Sequence, residues 1–531
     1  MKTIEIDART YHQPETTDEL KGLLEQAVAA KQKIAVRGSG HSFPLVKTNE
    51  GEADCLFIML TYLNRITAFD HEKGIVTVQA GCHIGKDPND ETSTYENSLV
   101  YQLDPFVEEK SGLLGLWGKT NRPRSQAPGW ALPDMGGISH QTMGGFMATG
   151  SSGGSTQFAF EDVITSVDIM HYDGSQVVTS TFTRPTDKTK FDTDPFFATA
   201  FVNLGLMGIV TSITIQCVPA FDINIVETTS HYEQCEIDLF GTTGDPTKSL
   251  QAFLQQSDYA YSRFLWWPQK DIQLIDLWKA QRTDTIAKSY KPYSEVPGIK
   301  VLTQLLTDAM WSLVGNWPSW LVSLYGLFGH DKQTIEEIKE FAAGKNAFFL
   351  KQLLKLIQPP GTQNFNDVWW NSLPMDNGVS DNLIPVWFTE LWISIDQTET
   401  VMKDLKTFFE SDPENAGTFS TEVYAARSSD FWLSPAYKTD VVRIDVFWFG
   451  HNAGHPQDYY QRFWTHLAPY NYRPHWAKYL PAGNSAQGVD YLSNPKIYPK
   501  WNDWLAQRAK MDPENLFLTD YWKGQLFPLA V

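Results

Sequence analysis

Along the first eighty residues the alternation of polar and apolar positions changes period several times. In TTDELKGLLEQAVAAKQK, Leu20, Leu23, Leu24, Ala27 and Val28 fall at i, i+3, i+4, i+7 and i+8, which predicts an amphipathic helix. Thr16 and Glu19 supply a capping box at its start. Ile34-Ala35-Val36 then reads as a short buried strand and gives way to Arg37-Gly38-Ser39-Gly40-His41-Ser42. CLFIML and the pair within ITAFDHEKGIVTVQAG, turned at Glu72-Lys73-Gly74, read as further strands. No helix follows the first glycines, so this is not the βαβ unit of a dinucleotide fold. Helix, strand, glycine turn and meander together predict an α+β unit.

A second segment, GGISHQTMGGFMATGSSGGS at 136–155, is dominated by small residues that leave little side chain to pack. VITSVDIMHYDGSQVVTST follows as two strands around Asp173-Gly174, and LGLMGIVTSITIQCVP adds another after more glycine. Glycine permits positive φ and lets bare backbone amides approach an anion. Either segment alone is an ordinary loop. Two such cradles in one α+β setting suit a long cofactor that carries a pyrophosphate.

The chain has 531 residues, which predicts more than one domain. A net charge of -19 argues against binding nucleic-acid phosphates or anionic lipid headgroups. The 19 tryptophans point to an aromatic-lined cavity or surface. Cys55, Cys82, Cys217 and Cys235 are too few and too scattered for a zinc site or a disulfide framework, and read as core thiols with no metal. The N-terminus lacks the apolar stretch of a secretory signal and no run of 18 apolar residues appears, so a cytoplasmic protein without a spanning helix is expected.

VRGSGHSF and GGISHQTMGGFMATGSSGGS resemble the two FAD loops of the flavoprotein family typified by vanillyl-alcohol oxidase. Farther on, RFLWWPQKDIQLIDLWKAQRT, STEVYAARSSDFWLSPAY, VVRIDVFWF, RPHWAK and AKMDPENLF occur in an order that resembles its sugar-1,4-lactone oxidase and alditol oxidase branch, with an HW-x-K motif at the flavin. The resemblance implies an α+β FAD-binding domain of the PCMH type, residues 1–220 with 481–531 returning to it. Residues 221–480 then form a substrate domain, a mixed or antiparallel sheet covered by helices. It implies FAD held by Arg37, Gly38, Ser39, Gly40, His41 and Ser42, by Thr142, Gly145, Thr149, Gly150, Ser152 and Gly153, and by Gly208, Ile209 and Lys478. His41 matches the histidine that many members join covalently to the flavin 8α carbon. The second loop holds no cysteine for another linkage.

The activity implied is oxidation of a CH-OH group of a small alcohol, polyol or sugar lactone by hydride transfer to flavin N5, with O2 or another acceptor reoxidising the flavin. Lys478 is the candidate for polarising the reacting oxygen, His475 for general base or hydrogen-bond partner, and Glu422 for anchoring hydroxyls. Arg443 and Asp445 alternate with Val442 and Ile444 and could point into the same cavity or form a plain ion pair. Glu390, in WFTELWISIDQTE, is expected to begin a strand of the substrate domain. Two departures from the branch touch the part that reads a polyol: Tyr424 stands where an arginine usually follows Glu422 by two residues, with Arg427 only farther on, and Ser151-Ser152-Gly153-Gly154-Ser155 replaces THGSG. Two other readings stand beside this one: an oxidase of a sterol or other lipophilic alcohol, and a flavin-binding protein without turnover. The first draws on the aromatic segment 309–329, which is either a buried helical pair or an apolar lid that makes peripheral membrane contact. Insertions at 86–128 and 284–380 have no assigned role, and the sequence sets no oligomeric state.

Overall fold

The computed structural model describes the chain outside residues 7–8, 43, 47–53, 88–89, 107–128, 271, 286, 288–289, 292–353, 355–359, 373–385, 418–419, 450–454, 482–491, 493 and 527–531. The segment 309–329 and most of both insertions therefore lie outside the described residues.

The capped helix is present at Thr17–Ala30, with the Thr16 hydroxyl accepting the Glu19 amide at 3.1 Å and Leu20, Leu23, Leu24 and Ala27 buried. Lys31, at φ 54°, closes it with a left-handed turn. Around it, β1 (Lys2–Ile6), β2 (Arg9–Gln13), β3 (Lys33–Arg37) and β4 (Cys55–Met59) form a sheet ordered β1-β2-β4-β3. The strand β4 enters between β2 and β3, parallel to both. Here the structure corrects the meander expected from sequence: pairing across a long connection leaves no local signal, and antiparallel order begins only with the next sheet.

That second sheet combines β5 (Ile66–Asp70), β6 (Ile75–Gln79), β8 (Ile164–Tyr172), β9 (Val177–Thr183) and β10 (Ile209–Gln216), in the order β5-β6-β10-β8-β9 and antiparallel throughout. Its hairpins turn at Gly74 and Gly174, both at positive φ. A ribbon of β7 (Trp130–Ala131) and β11 (Val218–Pro219) borders it. Cys82 and Cys217 are buried in this region, and burial pushes both thiols up to about 12. The C-terminal segment packs into the same core: Trp504 and Met511 are buried there, and the Ile34 amide donates to the Leu516 carbonyl at 2.8 Å.

The largest sheet comprises β12 (Asp222–His231), β13 (Tyr259–Trp267), β14 (Leu274–Thr283), β15 (Gly361–Val368), β16 (Val386–Ser394), β17 (Thr421–Ala426), β18 (Val441–Phe449) and β19 (Arg473–Pro474), ordered β15-β12-β14-β13-β17-β18-β16-β19. Successive side chains on a strand face opposite ways. One face is therefore the apolar row Leu391, Ile444, Val423, Phe264 and Leu277, packed under helices Leu250–Leu254, Thr398–Ser411 and Pro456–Leu467 in a second core. The other face carries charge, and its rows position the site. No helix among the described residues is long and apolar enough to cross a membrane.

Candidate active site

Two rows of paired residues cross the charged face of the large sheet. One runs Glu390, Asp445, Glu422, Leu265, Asp276, Thr229. The other, two residues along each strand, runs Trp392, Arg443, Tyr424, Arg263, Trp278, Glu227. Buried carboxylates are costly unless charge or hydrogen bonds compensate them, and here each meets a partner. The Arg263 guanidinium donates to Glu422 at 2.7 Å and lies over the Trp278 ring at 4.9 Å. The Trp278 indole N–H reaches both Glu227 and Asp276.

At one end of these rows stands Lys478. Its Nζ donates to Glu390 Oε2 at 2.5 Å and to Asp445 Oδ2 at 2.6 Å, over the Phe388 ring. Burial would neutralise this lysine, but Asp445 and Glu390 outweigh it and raise its pKa. The two carboxyls then diverge. Burial acts on both; Arg443 and Lys478 hold Glu390 well below the ordinary carboxylate value, whereas Asp445, pushed up by burial and by the charge of Glu390, is raised well above it. Two close carboxylates cannot ionise with equal ease. His475 sits beside them, its amide donating to the Glu390 carbonyl at 3.0 Å. Its Nδ1 accepts the Ala477 amide at 3.1 Å, and burial lowers its pKa to about 3.

Glu390 corrects the sequence reading. It does not begin a strand but sits in the middle of β16, fully buried, between Arg443 and Lys478. The available signal was a lone carboxylate inside the otherwise apolar run VWFTELWIS, where charge is expensive. Arg427 lies elsewhere, exposed and paired with Asp162 at 2.5 Å.

The two glycine-rich segments come together. Gly38 packs so closely on Thr142 that a Cβ would overlap its Oγ1, and Gly40, at φ 88°, leaves room for the Arg37 guanidinium. The Ser39 hydroxyl donates to the His140 carbonyl at 2.7 Å, and the half-buried His41 ring lies 4.6 Å from that of His140. Ser42 accepts the Val46 amide. Behind them His83, absent from the sequence reading, bonds the same carbonyl through Nδ1 at 3.0 Å. Burial opposes a charge on His83, but Asp90 and Asp87 outweigh it and raise its pKa.

In the second segment, residues Met143–Ala148 form a short helix capped by Thr142, whose hydroxyl accepts the Gly145 amide at 3.3 Å. Thr149 bonds back to the Gly145 carbonyl, and Gly150 turns at φ 72°. Ser152 and Gly153 are gripped from below by Asp134, also missed in the sequence, whose Oδ2 accepts the Gly153 amide at 2.7 Å and the Ser152 hydroxyl at 3.2 Å. Gly208 and Ile209 make their described contacts within the second sheet: a Cβ on Gly208 would lie 2.6 Å from the Met170 carbonyl, and Ile209 pairs with Met170.

The glycine cradles fit FAD: close-packed backbone lines both loops, Cβ atoms at Gly38 and Gly153 would collide with neighbours, and the Lys478 cluster adjoins the second loop through Arg443. Comparison with known proteins agrees. The FAD binding domain model matches residues 8–87 and the D-arabinono-1,4-lactone oxidase model residues 377–525. The chain is 26% identical to the L-gulonolactone oxidase of Scyliorhinus torazame over 99% of this chain and 97% of that protein. It is 22% identical to a putative D-arabinono-1,4-lactone oxidase of Neurospora crassa, over 97% and 83%. In fold it is similar to cholesterol oxidase from B. sterolicum, with a TM-score of 0.63 at 15% identity over 98% of this chain and 94% of that one. A grass pollen allergen with glucose dehydrogenase activity superposes with a TM-score of 0.54 at 12% identity, over 97% and 89%. Motifs, site and comparisons converge: the chain is an FAD-dependent oxidoreductase, similar to the sugar-1,4-lactone oxidases.

Proposed function

We propose that the chain oxidises a CH-OH group of a neutral sugar lactone or polyol at Lys478, with residues 1–220 and 481–531 holding FAD and residues 221–480 presenting the substrate. The observation that carries this reading is the buried Glu390, Lys478 and Asp445 cluster beside the second glycine loop. Each cation of the cluster is already matched by a carboxylate, Arg443 by Glu390, Arg263 by Glu422 and Lys478 by two, which favours a hydroxylated, uncharged ligand over an acid. The lactone names of the relatives agree with that chemistry.

Bound FAD supplies the hydride-accepting chemistry. Lys478 has three N–H groups, two of them held by Glu390 and Asp445, and the third donates to the substrate hydroxyl oxygen. Nζ stays an ammonium and steadies that oxygen, while the hydroxyl proton passes to Asp445, whose Oδ1 accepts no hydrogen bond among the described residues. The raised pKa of Asp445 suits it to hold that proton, while Glu390 stays ionised and keeps the ammonium in place. His41, on the first loop beside His140, is the residue for a covalent bond to the cofactor. Anaerobic mixing of holoprotein with lactones, polyols, the corresponding sodium aldonates and sterols tests the reading. Lactones or polyols should bleach the flavin and aldonates and sterols should not; bleaching by sterols alone, or by nothing, overturns it.

A further inference from the structure

Arg443 occupies an unusual position between the two halves of the site. It stands on β18 directly across from Tyr424 on β17, so the guanidinium absent two residues after Glu422 comes from the neighbouring strand. Yet its donors are directed at the protein. Nε donates to Glu390 Oε1 at 2.5 Å, Nη1 to the carbonyls of Ser152 at 3.1 Å and Gly153 at 2.5 Å, and Nη2 to the Tyr424 hydroxyl at 2.8 Å. Four of the five N–H groups of the fork are thereby used. The guanidinium carbon also lies 4.0 Å from the Tyr424 ring centroid and 4.3 Å from that of Trp392, and the residue is only 2% exposed. A guanidinium so engaged has little left for a sugar hydroxyl.

What it does have is a path. The Ser152-Gly153 peptide is held on its N–H side by Asp134 and on its carbonyl side by Arg443. Arg443 holds Glu390, and the other oxygen of Glu390 holds Lys478. We propose that Arg443 is a positioning residue: it ties the second cofactor loop to the carboxylate that fixes Lys478, so that one guanidinium sets the loop and the lysine relative to each other. It acts through Glu390 and does not read the substrate. A lysine could not replace it, because a single ammonium cannot span two carbonyls and a carboxylate in the planar fork these distances describe.

The proposal rests on the oxidase reading for its kinetic test but not for its structural one. In Arg443→Ala, amide hydrogen exchange in residues 150–156 should accelerate at least tenfold in both apoprotein and holoprotein. Guanidinium, but not methylammonium, should restore it. Unchanged exchange in that segment would overturn the clamp whatever the substrate is. In the loaded enzyme the same variant should reduce its flavin at least about a hundredfold more slowly, with KM changed less than threefold. A raised KM at unchanged kcat would instead make Arg443 a substrate ligand and overturn the proposal. Should Arg443→Ala not fold, the pair Arg443→Met and Glu390→Gln decides. Removing the buried carboxylate along with the guanidinium should give a higher melting temperature than Arg443→Met alone, and additive losses would contradict the coupling.

Discussion

Asp134 gives the most quantitative test of the loop architecture. Its carboxyl is fully buried, with Oδ2 bonded to the Gly153 amide and the Ser152 hydroxyl and Oδ1 accepting no hydrogen bond among the described residues. Burial outweighs those bonds and the distant pull of Arg443, lifting the pKa from an ordinary 3.8 to about 7. In the unfolded chain the group ionises near 3.8, so between pH 4 and 7 the native state binds the proton and the unfolded state does not. Stability from this group is therefore greatest below the unfolded pKa and is lost as pH rises through about 7. A shift of roughly three units at about 1.4 kcal/mol each amounts to about 4 kcal/mol. Asp134→Asn removes this dependence and keeps an acceptor for the Gly153 amide. Urea unfolding of wild type and variant at pH 5, 6, 7 and 8 should show the stability difference moving in the variant's favour by roughly 2 to 3 kcal/mol between pH 5 and pH 8, the first part of the loss having already occurred between pH 4 and 5. Glu161, buried and pushed up to about 7 by the same cause, leaves both proteins a residual slope of the same sign. Parallel pH profiles for the two proteins would refute the reasoning.

Three further changes probe other parts of the site. In His41→Ala, flavin should no longer remain with acid-precipitated protein, whereas wild-type precipitate should stay yellow; complete release from the wild type would exclude a bond at His41. In a His41→Ala background, where flavin binding is reversible, Gly38→Ala places a methyl against Thr142 Oγ1, so FAD affinity should fall at least tenfold by fluorescence titration, and Thr142→Ala in the same chain should recover most of it by removing the colliding oxygen. Removing a charge aimed at the reacting oxygen typically costs about two to three orders of magnitude in rate. Lys478→Met should accordingly slow anaerobic flavin reduction by that amount at unchanged flavin content, and a rate equal to wild type would confine the lysine to a structural role.

The parts of this site that were legible in the sequence are those coded locally. The capping box at Thr16, the hairpins at Gly74 and Gly174, the two glycine segments and the HW-x-K lysine each announce themselves within a few residues. Glu390, Asp134, Tyr424 and His83 did not, because their meaning lies in register and packing. Glu390 acquires its role only when β16 pairs with β18 and brings Asp445 opposite, some fifty residues away in sequence. Asp134 matters because a backbone amide nineteen residues later folds onto it. The insertion of β4 between β2 and β3 is likewise a long-range pairing that no periodicity encodes. Arg443 and Asp445 were visible as charges alternating with Val442 and Ile444, but whether they met each other or something else could be read only from the neighbouring strands.

The central claim, oxidation of a neutral lactone or polyol at Lys478, is tested most directly by rapid anaerobic mixing of wild-type holoprotein with a sugar-1,4-lactone bearing deuterium at the carbon to be oxidised. The account predicts single-turnover bleaching of the flavin that is slower with the deuterated lactone than with the protiated one, and absent with the ring-opened aldonate. Bleaching by the aldonate in preference to the lactone, or no bleaching by any lactone or polyol in fully loaded protein, would contradict it.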